Sequence, residues 1–304
     1  MIVANTALLH FSFLILNFIM AYSPSPRPVF DAPTYIAYEA VTRHLWGDPV
    51  AGEVADWVYV SSDEIHHIVF GLPPHGWFKH SDSSRTVFGA DEIYYVVEGE
   101  MTLCNPETGE VHVVHQDEAA FFRKDTWHHA FNRSERQLRV LEFMAPTPSQ
   151  GASGAYARTR PYLQASRYTQ DELLGHWPMD ADEILSKDTM RVMHDGNLRW
   201  RLEGGEQPIM VGLLCATDQL TVGKAIAMPG ERCDLHTHGG DESLYVLEGT
   251  LNIRVPDNDK GPKWFELKPG DGFYMPHGTA HQYYNYTDKP VKFLFGVAPR
   301  YLPE

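Results

Sequence analysis

The chain lacks an excess of basic side chains and contains very few cysteines. Its 304 residues include 25 Lys and Arg against 40 Asp and Glu, so the formal net charge at pH 7 is −15. Nucleic acids and anionic membrane surfaces both attract basic faces, so we expect neither as a partner. The three cysteines, Cys104, Cys215 and Cys233, are too few and too widely spaced for a disulfide framework. We therefore predict a reducing, cytoplasmic compartment.

Long hydrophobic runs are also scarce, and the one apolar stretch lies at the N-terminus. Residues 1–21 contain no Lys or Arg, whereas a secretory signal begins with basic residues. Polar residues interrupt the stretch, which disfavours a spanning helix of about 20 apolar residues. We interpret residues 1–21 as an extension without a role in function, with Met20 as an alternative start, and residues 22–55 as an N-terminal arm. A packing helix and, less favoured, a signal or anchor are the other interpretations of the apolar stretch.

An internal repeat organises the rest of the chain. Residues 92–99 (EIYYVVEG) return as residues 242–249 (ESLYVLEG), 150 positions later. Residues 126–132 (TWHHAFN) return as residues 279–285 (TAHQYYN), at an offset of 153 that continues without gaps for the next 14 positions. Two nearly equal offsets over separated blocks indicate that one module was duplicated.

The pattern inside each copy is that of short strands. Apolar-rich segments are bounded by Pro, Gly or Asp, and such spacing is typical of sandwiches and barrels, so we expect an all-β fold. Between the copies, residues 151–205 contain helix-like pieces, among them a segment that Thr169 can cap. We predict an N-terminal barrel over residues 56–150, a partly helical connector over 151–205 and a C-terminal barrel over 206–304.

The strongest chemical signal lies in the C-terminal copy. His236 and His238 are two positions apart and share one face of a predicted strand, Glu242 follows four residues later, and His281 comes from a later strand. Three imidazoles and one carboxylate suit a divalent transition metal and leave room for exchangeable ligands. Fe(II) is the preferred metal, and Mn(II), Ni(II) and Zn(II) are the alternatives.

These residues lie in two motifs that resemble those of the cupin superfamily. Residues 230–249 match the first motif at every defined position, and residues 270–285 match the second. The resemblance extends over most of the chain and implies a bicupin, with two double-stranded β-helix (jelly-roll) barrels. It also implies that the metal ligands are His236, His238, Glu242 and His281.

The N-terminal copy departs from the cupin pattern. Glu92 and His128 stand at cupin positions, and His80 and Asp82 stand where a His-x-His pair is expected, but nine residues separate Asp82 from Glu92 where the family has three. Asp125 replaces a glycine of the second motif. We consider two interpretations equally: a second metal site formed by His80, Asp82, Glu92 and His128, or a degenerate barrel kept for its architecture.

Strand parity suggests residues that could contact a substrate. Tyr283 shares parity with His281, and Arg232 shares it with His236, so these are the predicted catalytic residues; for Arg232 a solvated surface charge is an equal alternative. Cys233 has the opposite parity, which predicts a packed free thiol.

The resemblance does not decide the reaction, because dioxygenases, decarboxylases, isomerases and lyases all share this arrangement. The preferred hypothesis is a metal-dependent dioxygenase for a small oxygenated substrate, aromatic substrates included. The alternatives are a redox-neutral lyase, decarboxylase or isomerase of a small carboxylate or sugar acid, and a non-catalytic cupin that binds a metal or ligand. We expect a small-molecule substrate, and a homo-oligomer is compatible with the sequence.

Overall fold

The apolar segments of the two copies form strands, which a computed structural model pairs into two barrels. The structure describes residues 25–148, 155–168 and 179–303. The N-terminal apolar stretch and the predicted capping residue Thr169 lie outside the described residues. None of the helices within the described ranges is long and apolar enough to cross a bilayer.

The bounds of the elements are as follows. The first eleven strands are β1 (Thr34–Ile36), β2 (Thr42–Asp48), β3 (Gly52–Ser61), β4 (His66–Leu72), β5 (Trp77–Phe78), β6 (Asp91–Glu98), β7 (Glu100–Cys104), β8 (Val111–His115), β9 (Ala119–Phe122), β10 (His129–Phe131) and β11 (Leu138–Ala145). The described part of the connector includes the short helices α1 (Ala155–Arg158) and α2 (Ala181–Leu185). The later strands are β12 (Met190–Met193), β13 (Arg199–Glu203), β14 (Ile209–Ala216), β15 (Thr221–Ala227), β16 (Asp241–Glu248), β17 (Leu251–Arg254), β18 (Trp264–Leu267), β19 (Gly272–Met275), β20 (Gln282–Tyr284) and β21 (Val291–Ala298).

Each barrel consists of a large and a small antiparallel sheet. The N-terminal barrel has a seven-stranded sheet in the order β12-β9-β6-β11-β4-β3-β2 and a four-stranded sheet in the order β5-β10-β7-β8. The C-terminal barrel has a seven-stranded sheet in the order β1-β19-β16-β21-β15-β14-β13 and a three-stranded sheet in the order β18-β17-β20. The matching orders follow from the duplicated sequence, and the all-β prediction with a partly helical connector is confirmed.

Each large sheet ends on a strand that comes from outside its own barrel. β1, from the N-terminal arm, pairs with β19 of the C-terminal barrel, and β12, from the connector, pairs with β9 of the N-terminal barrel. These added strands cover sheet edges whose backbone groups would otherwise be unpaired. Because β2 already pairs with β3 in the N-terminal barrel, part of the predicted arm belongs to that barrel and part crosses to the other.

The two barrels pack through the outer faces of their large sheets. One core cluster joins residues of both copies, including Tyr59 and Phe143 from the first and Tyr245 from the second. Aromatic rings fill the space left by two glycines at this interface. A Cβ on Gly296 would lie 2.7 Å from Cδ1 of Phe143, and one on Gly272 would lie 2.5 Å from Cδ1 of Tyr59. The barrels are therefore in close contact, and a side chain larger than glycine at position 272 or 296 would collide with an aromatic ring of the other barrel.

The turns of the second motif keep their shape in both barrels. In the C-terminal barrel Gly270 and Gly278 have positive φ angles of 91° and 74°, and 153 positions earlier Asp117 and Asp125 both have a φ of 68°. Aspartate is one of the few side chains that tolerate this left-handed conformation. The N-terminal barrel thus retains the backbone of the motif while its side-chain chemistry differs.

Candidate metal centre

The C-terminal barrel brings its four predicted ligands together. His236 and His281 face each other across an isolated bridge, in which each backbone N–H donates to the other's carbonyl oxygen, at 3.0 and 2.9 Å. Glu242 lies on β16, and its Oε2 is 3.1 Å from Nε2 of His281 and 3.4 Å from Nε2 of His238. The three histidines offer ring nitrogens that all lie within 4.8 Å of one another. This is a compact set of three nitrogen donors and one oxygen donor.

Backbone carbonyls orient the three imidazoles. A carbonyl oxygen only accepts, so each Nδ1 carries the proton and donates it: His236 to Asp234 at 2.8 Å, His238 to Tyr301 at 2.8 Å and His281 to Thr279 at 3.0 Å. The Nε2 lone pairs are consequently available for coordination. Metal-binding histidines are commonly fixed in this way by a partner on the other ring nitrogen.

The buried atoms of the cluster fit a metal cation. Oε2 of Glu242 and Nε2 of His281 are buried and have no hydrogen-bond partner. Burial lowers the pKa of His236 to about 4. Burial opposes ionisation of Glu242, but the imidazoles of His238 and His281 outweigh it and hold the pKa of that carboxyl at about 2. A neutral His236 imidazole and an ionised Glu242 carboxylate are the protonation states that coordination requires.

Tyr283 lies directly behind Glu242. Its hydroxyl donates a hydrogen bond to Oε1 of Glu242, and both side chains are almost fully buried. Burial and the adjacent carboxylate raise the pKa of Tyr283 well above its usual range, so the phenol stays protonated. Cys233 is a buried free thiol whose Sγ accepts the backbone N–H of Tyr283 at 3.0 Å, as expected for a packed cysteine.

A cavity of about 450 Å³ adjoins the cluster. His236 and His238 form one wall, and Glu203, Tyr301 and Leu302 form another. The hydroxyl of Tyr301 donates to Oε1 of Glu203 at 2.9 Å. The sequence analysis missed Glu203 and Tyr301, because they come from β13 and the C-terminal segment and belong to neither motif. The cavity supplies a route by which a small molecule can reach the donor set.

Arg232 is not brought into this cluster. Its side chain is exposed, and Nη1 donates to the hydroxyl of Tyr284 at 3.2 Å. Tyr284 lies next to Tyr283 on β20 and therefore points to the opposite face of the strand. The structure thus places Arg232 as the solvated surface charge that was the alternative, and only Tyr283 of the two predicted catalytic residues lies beside the ligands.

The four candidate ligands of the N-terminal barrel do not converge. Glu92 and His128 remain neighbours, with Oε2 and Nε2 3.7 Å apart. The extra residues before Glu92 carry the other two away: Nδ1 of His80 lies 2.7 Å from Nε2 of His129, and Asp82 is exposed. Within the ranges that the structure describes, no cluster of three metal-type donors includes any of these four residues.

The interior of the N-terminal barrel holds acidic groups that the sequence analysis missed. Glu142 and Asp56 are buried there, near the hydroxyl of Tyr94, which lies 2.9 Å from Nε2 of His128. A signal was present in the repeat, because the position 153 residues after Glu142 is the apolar Phe295. Equivalent positions of the two copies thus hold a carboxylic acid and an apolar ring, which indicates that the two barrel interiors differ in chemistry.

A second cluster of metal-type donors has a structural explanation. Nε2 of His112 lies 2.7 Å from Oε1 of Glu110 and 4.0 Å from Oδ2 of Asp188. The Glu110 carboxylate already accepts hydrogen bonds from the backbone N–H of Thr189 at 2.8 Å, from its hydroxyl at 2.7 Å and from the N–H of Met190 at 2.9 Å. Glu110 therefore anchors the start of β12 to the N-terminal barrel.

Comparison with protein families agrees with the duplication. The cupin domain family matches the chain twice, over residues 74–144 and 224–297. An uncharacterized protein of Methanocaldococcus jannaschii is 35% identical over 85 residues, which is 28% of this chain and 64% of that protein. The chain therefore aligns with less than two thirds of this relative's length.

Solved structures share the arrangement of two barrels. A protein of Pseudomonas aeruginosa described as a glyoxylate induced protein superposes with a TM-score of 0.63 at 15% identity, covering 90% of this chain and 91% of that one. The oxalate decarboxylase of Lactobacillus farciminis, in its formate complex, gives a TM-score of 0.57 at 13% identity, covering 93% and 90%. At these identities the likeness concerns the fold.

Proposed function

Because the chain is a two-domain cupin protein, we propose that its C-terminal barrel is the active site of a metal-dependent dioxygenase acting on a small oxygenated substrate. The observation that carries the proposal is the convergence of three imidazole nitrogens and Oε2 of Glu242 beside a cavity of about 450 Å³. Fe(II) bound by His236, His238, Glu242 and His281 would supply Lewis-acid polarisation of an oxygen donor and the redox capacity for O₂ chemistry.

The walls of the cavity favour an uncharged substrate. Glu203 and Asp234 contribute acidic groups, and Arg201 forms an ion pair with Glu203 while its guanidinium lies over the Tyr301 ring at 4.9 Å. A dicarboxylate would meet the carboxylate of Asp234 and would find Arg201 already paired with Glu203. A catechol, an enediol or a β-diketone fits this environment better, and Tyr301 and Leu302 offer it apolar contacts. These features support the dioxygenase over the decarboxylase.

The chain's own residues have separate tasks in this proposal. Tyr283 fixes Glu242 by its hydrogen bond to Oε1, which leaves Oε2 directed at His238 and His281. The carbonyl of Tyr301 accepts a hydrogen bond from Nδ1 of His238 and so holds this imidazole in place. Because Tyr283 keeps its proton, its phenol is also a buried acid next to the site.

That buried phenol is the observation that favours a second candidate. A redox-neutral decarboxylase or lyase has to return a proton to carbon, and Tyr283, which is protonated and hydrogen-bonded to Glu242, is the candidate donor. The shared fold with the oxalate decarboxylase of Lactobacillus farciminis is compatible with this alternative. The two candidates differ in one respect that can be measured directly: only the dioxygenase consumes O₂.

The test is a substrate panel with and without oxygen. Protein purified without added metal is loaded with Fe(II), and catechol, enediol, β-diketone and α-hydroxy acid substrates are assayed with an oxygen electrode and under anaerobic conditions. We expect turnover of a neutral chelating substrate with matching O₂ uptake and none in the absence of O₂. Equal turnover under anaerobic conditions would establish the redox-neutral alternative, and a metal-loaded protein that turns over no member of the panel would favour a binding role.

A further inference from the structure

The interior face of the N-terminal barrel places carboxyl groups side by side. In the strand register Glu142 of β11 lies opposite Tyr94 of β6, and Met144 lies opposite Glu92. Residues two apart on one strand share a face, so Glu142 and Glu92 both point into this barrel. Both side chains are buried, at 5% and 1% exposure. Asp56, on β3, lines the same cavity as Glu142.

Comparison of the two copies shows what changed between them. Glu92 and His128 correspond to Glu242 and His281 of the metal centre. His80 contacts His129 instead, and among the described residues of the N-terminal barrel no pair joins Glu92 and His128 as His236 and His238 join Glu242 and His281. Glu142 stands at the position of Phe295. The N-terminal barrel has therefore lost metal-binding imidazoles and gained an acid.

The cavity around these groups is small and mostly aromatic. Its volume is about 60 Å³, and Asp56 and Glu142 are its acidic lining residues. Its aromatic lining consists of Trp46, Phe70, Phe78, Phe88 and Tyr94. No Lys or Arg side chain lines it among the residues that the structure describes. Burial lowers the pKa of both lining imidazoles, His66 and His128, to about 4, so neither supplies a positive charge at neutral pH.

Several polar groups at this site have no partner. The hydroxyl of Thr86, which lines the cavity at 2% exposure, and Oε2 of Glu92 are buried without a hydrogen bond. The carboxyl of Glu142 has no hydrogen-bond partner within the described ranges. Burial, reinforced by the nearby Asp56, raises the pKa of Glu142 to about 8, whereas Asp56 itself is paired with His44 at 3.2 Å. An ionised Glu142 carboxylate in this cavity, which has no cationic lining side chain among the described residues, is costly unless a positive group joins it.

We propose that the N-terminal barrel binds a small organic cation, a primary ammonium on a short apolar body, between the Glu142 and Asp56 carboxyl groups and the aromatic rings of the cavity. A carboxylate accepts the ammonium hydrogens, and aromatic faces attract the positive charge, as in known sites for ammonium ligands. A metal ion is the poorer occupant, because no three donor atoms converge there among the described residues. The site lies in the other barrel from the metal centre and stands independently of its proposed function.

The experiment compares three probes of equal size and different charge. Isothermal titration of the full chain at pH 8 uses methylammonium, methanol and formate, which are small enough for a cavity of about 60 Å³. We expect methylammonium to bind at least about tenfold more tightly than methanol, and formate to show no binding. Binding of methanol as tight as that of the cation would overturn the proposal, and so would the absence of cation binding up to millimolar concentration.

Two variants separate this site from the rest of the molecule. Glu142→Gln should weaken methylammonium binding at least about tenfold, while the matched surface variant Glu53→Gln should bind methylammonium like the parent. His281→Ala should leave cation binding unchanged, so a failure of the metal centre and a failure of this site give different results. If Glu142→Gln did not fold, the affinity of the parent protein for the cation relative to the alcohol would still test the proposal. Cation binding insensitive to Glu142→Gln, or replacement of the cation by a second equivalent of Zn²⁺, would refute the assignment.

Discussion

The hydroxyl of Tyr283 and the carboxylate of Glu242 form a hydrogen bond in the closed interior of the C-terminal barrel. Tyr283 engages Oε1, while Oε2 faces the Nε2 atoms of His238 and His281 at 3.4 and 3.1 Å. The two oxygens of one carboxylate thus have different partners. One oxygen is fixed by the protein, and the other is left to the metal centre.

Tyr283→Phe removes the group that fixes Glu242 and keeps the ring. We expect the variant to retain metal, because all four donors are present, and to lose about 10- to 100-fold in kcat, the usual effect of removing a partner of a metal ligand. Metal analysis and steady-state kinetics on the substrate identified by the panel would check this. Tyr284→Phe, on the opposite face of the strand, is the control and should behave like the parent. Unchanged kcat in Tyr283→Phe would show that the hydrogen bond is dispensable.

His281→Ala should abolish C-terminal metal binding and activity together. His281 is almost fully buried and stands 3.1 Å from Glu242, so no neighbouring side chain can replace its nitrogen without rearrangement. The measurement is metal content after dialysis, alongside the rate. His277→Ala removes an exposed imidazole from the same turn and serves as the matched control. Retention of a full metal equivalent by His281→Ala would contradict the assignment of the centre.

Metal stoichiometry should be close to one per chain. Of the four predicted ligands in the N-terminal barrel only Glu92 and His128 remain adjacent, at 3.7 Å, and two donors are too few to hold a divalent ion against dissociation. Elemental analysis of protein purified without added metal, together with a count of chains, would check this. His128→Ala should leave the count unchanged. A value near two that His128→Ala reduces to one would reveal a second metal site.

Glu142→Gln should stabilise the protein at high pH when no cation is present. The folded state raises the pKa of Glu142 to about 8 from an ordinary value of 4.5, so between these values the native state holds a proton that the unfolded state has released. Stability therefore falls as pH rises through this window, by up to about 1.4 kcal/mol per pH unit. The free energy of unfolding, measured with urea at pH 5 and pH 8, should show a larger advantage of Glu142→Gln at pH 8.

The exposed variant Glu53→Gln controls for the general effect of removing one negative charge. Its free energy of unfolding should differ from that of the parent by the same small amount at both pH values. An advantage of Glu142→Gln that is equal at pH 5 and pH 8 would mean that the Glu142 carboxyl does not hold a proton in the native state.

Gly296→Ala should weaken the contact between the barrels. The added methyl would lie 2.7 Å from the ring of Phe143, which is fully buried and cannot move aside freely. Overpacking of this kind costs about 1–3 kcal/mol. Thermal unfolding should therefore shift to lower temperature, whereas Gly205→Ala, whose Cβ would meet nothing closer than 3.5 Å, should show no such shift. An unchanged transition in Gly296→Ala would show that the interface is more plastic than its packing indicates.

Much of the fold could be predicted from the chain itself. The repeat between Glu92 and Glu242 indicated two equivalent barrels, because two nearly equal offsets require one duplicated module. The predicted strand under His236 and His238 is wrong: both lie in the segment between β15 and β16, where His236 forms an isolated bridge with His281. Their spacing still indicated the cluster, since ring nitrogens of His236, His238 and His281 lie within 4.8 Å of one another. The reach of β1 to the opposite barrel left no comparable signal, since an edge strand of three residues has no pattern of its own.

The sequence by itself determined the duplication, the all-β architecture and the complete set of ligand types in the C-terminal copy. Only the tertiary structure decided that His80 turns to His129, that Arg232 lies outside against Tyr284, and that Glu142 lies inside the N-terminal barrel. These outcomes depend on the path of loops and on the register between strands distant in sequence. Long-range packing sets both of them; for Glu142 the repeat held a partial signal, since the equivalent position in the second copy is Phe295.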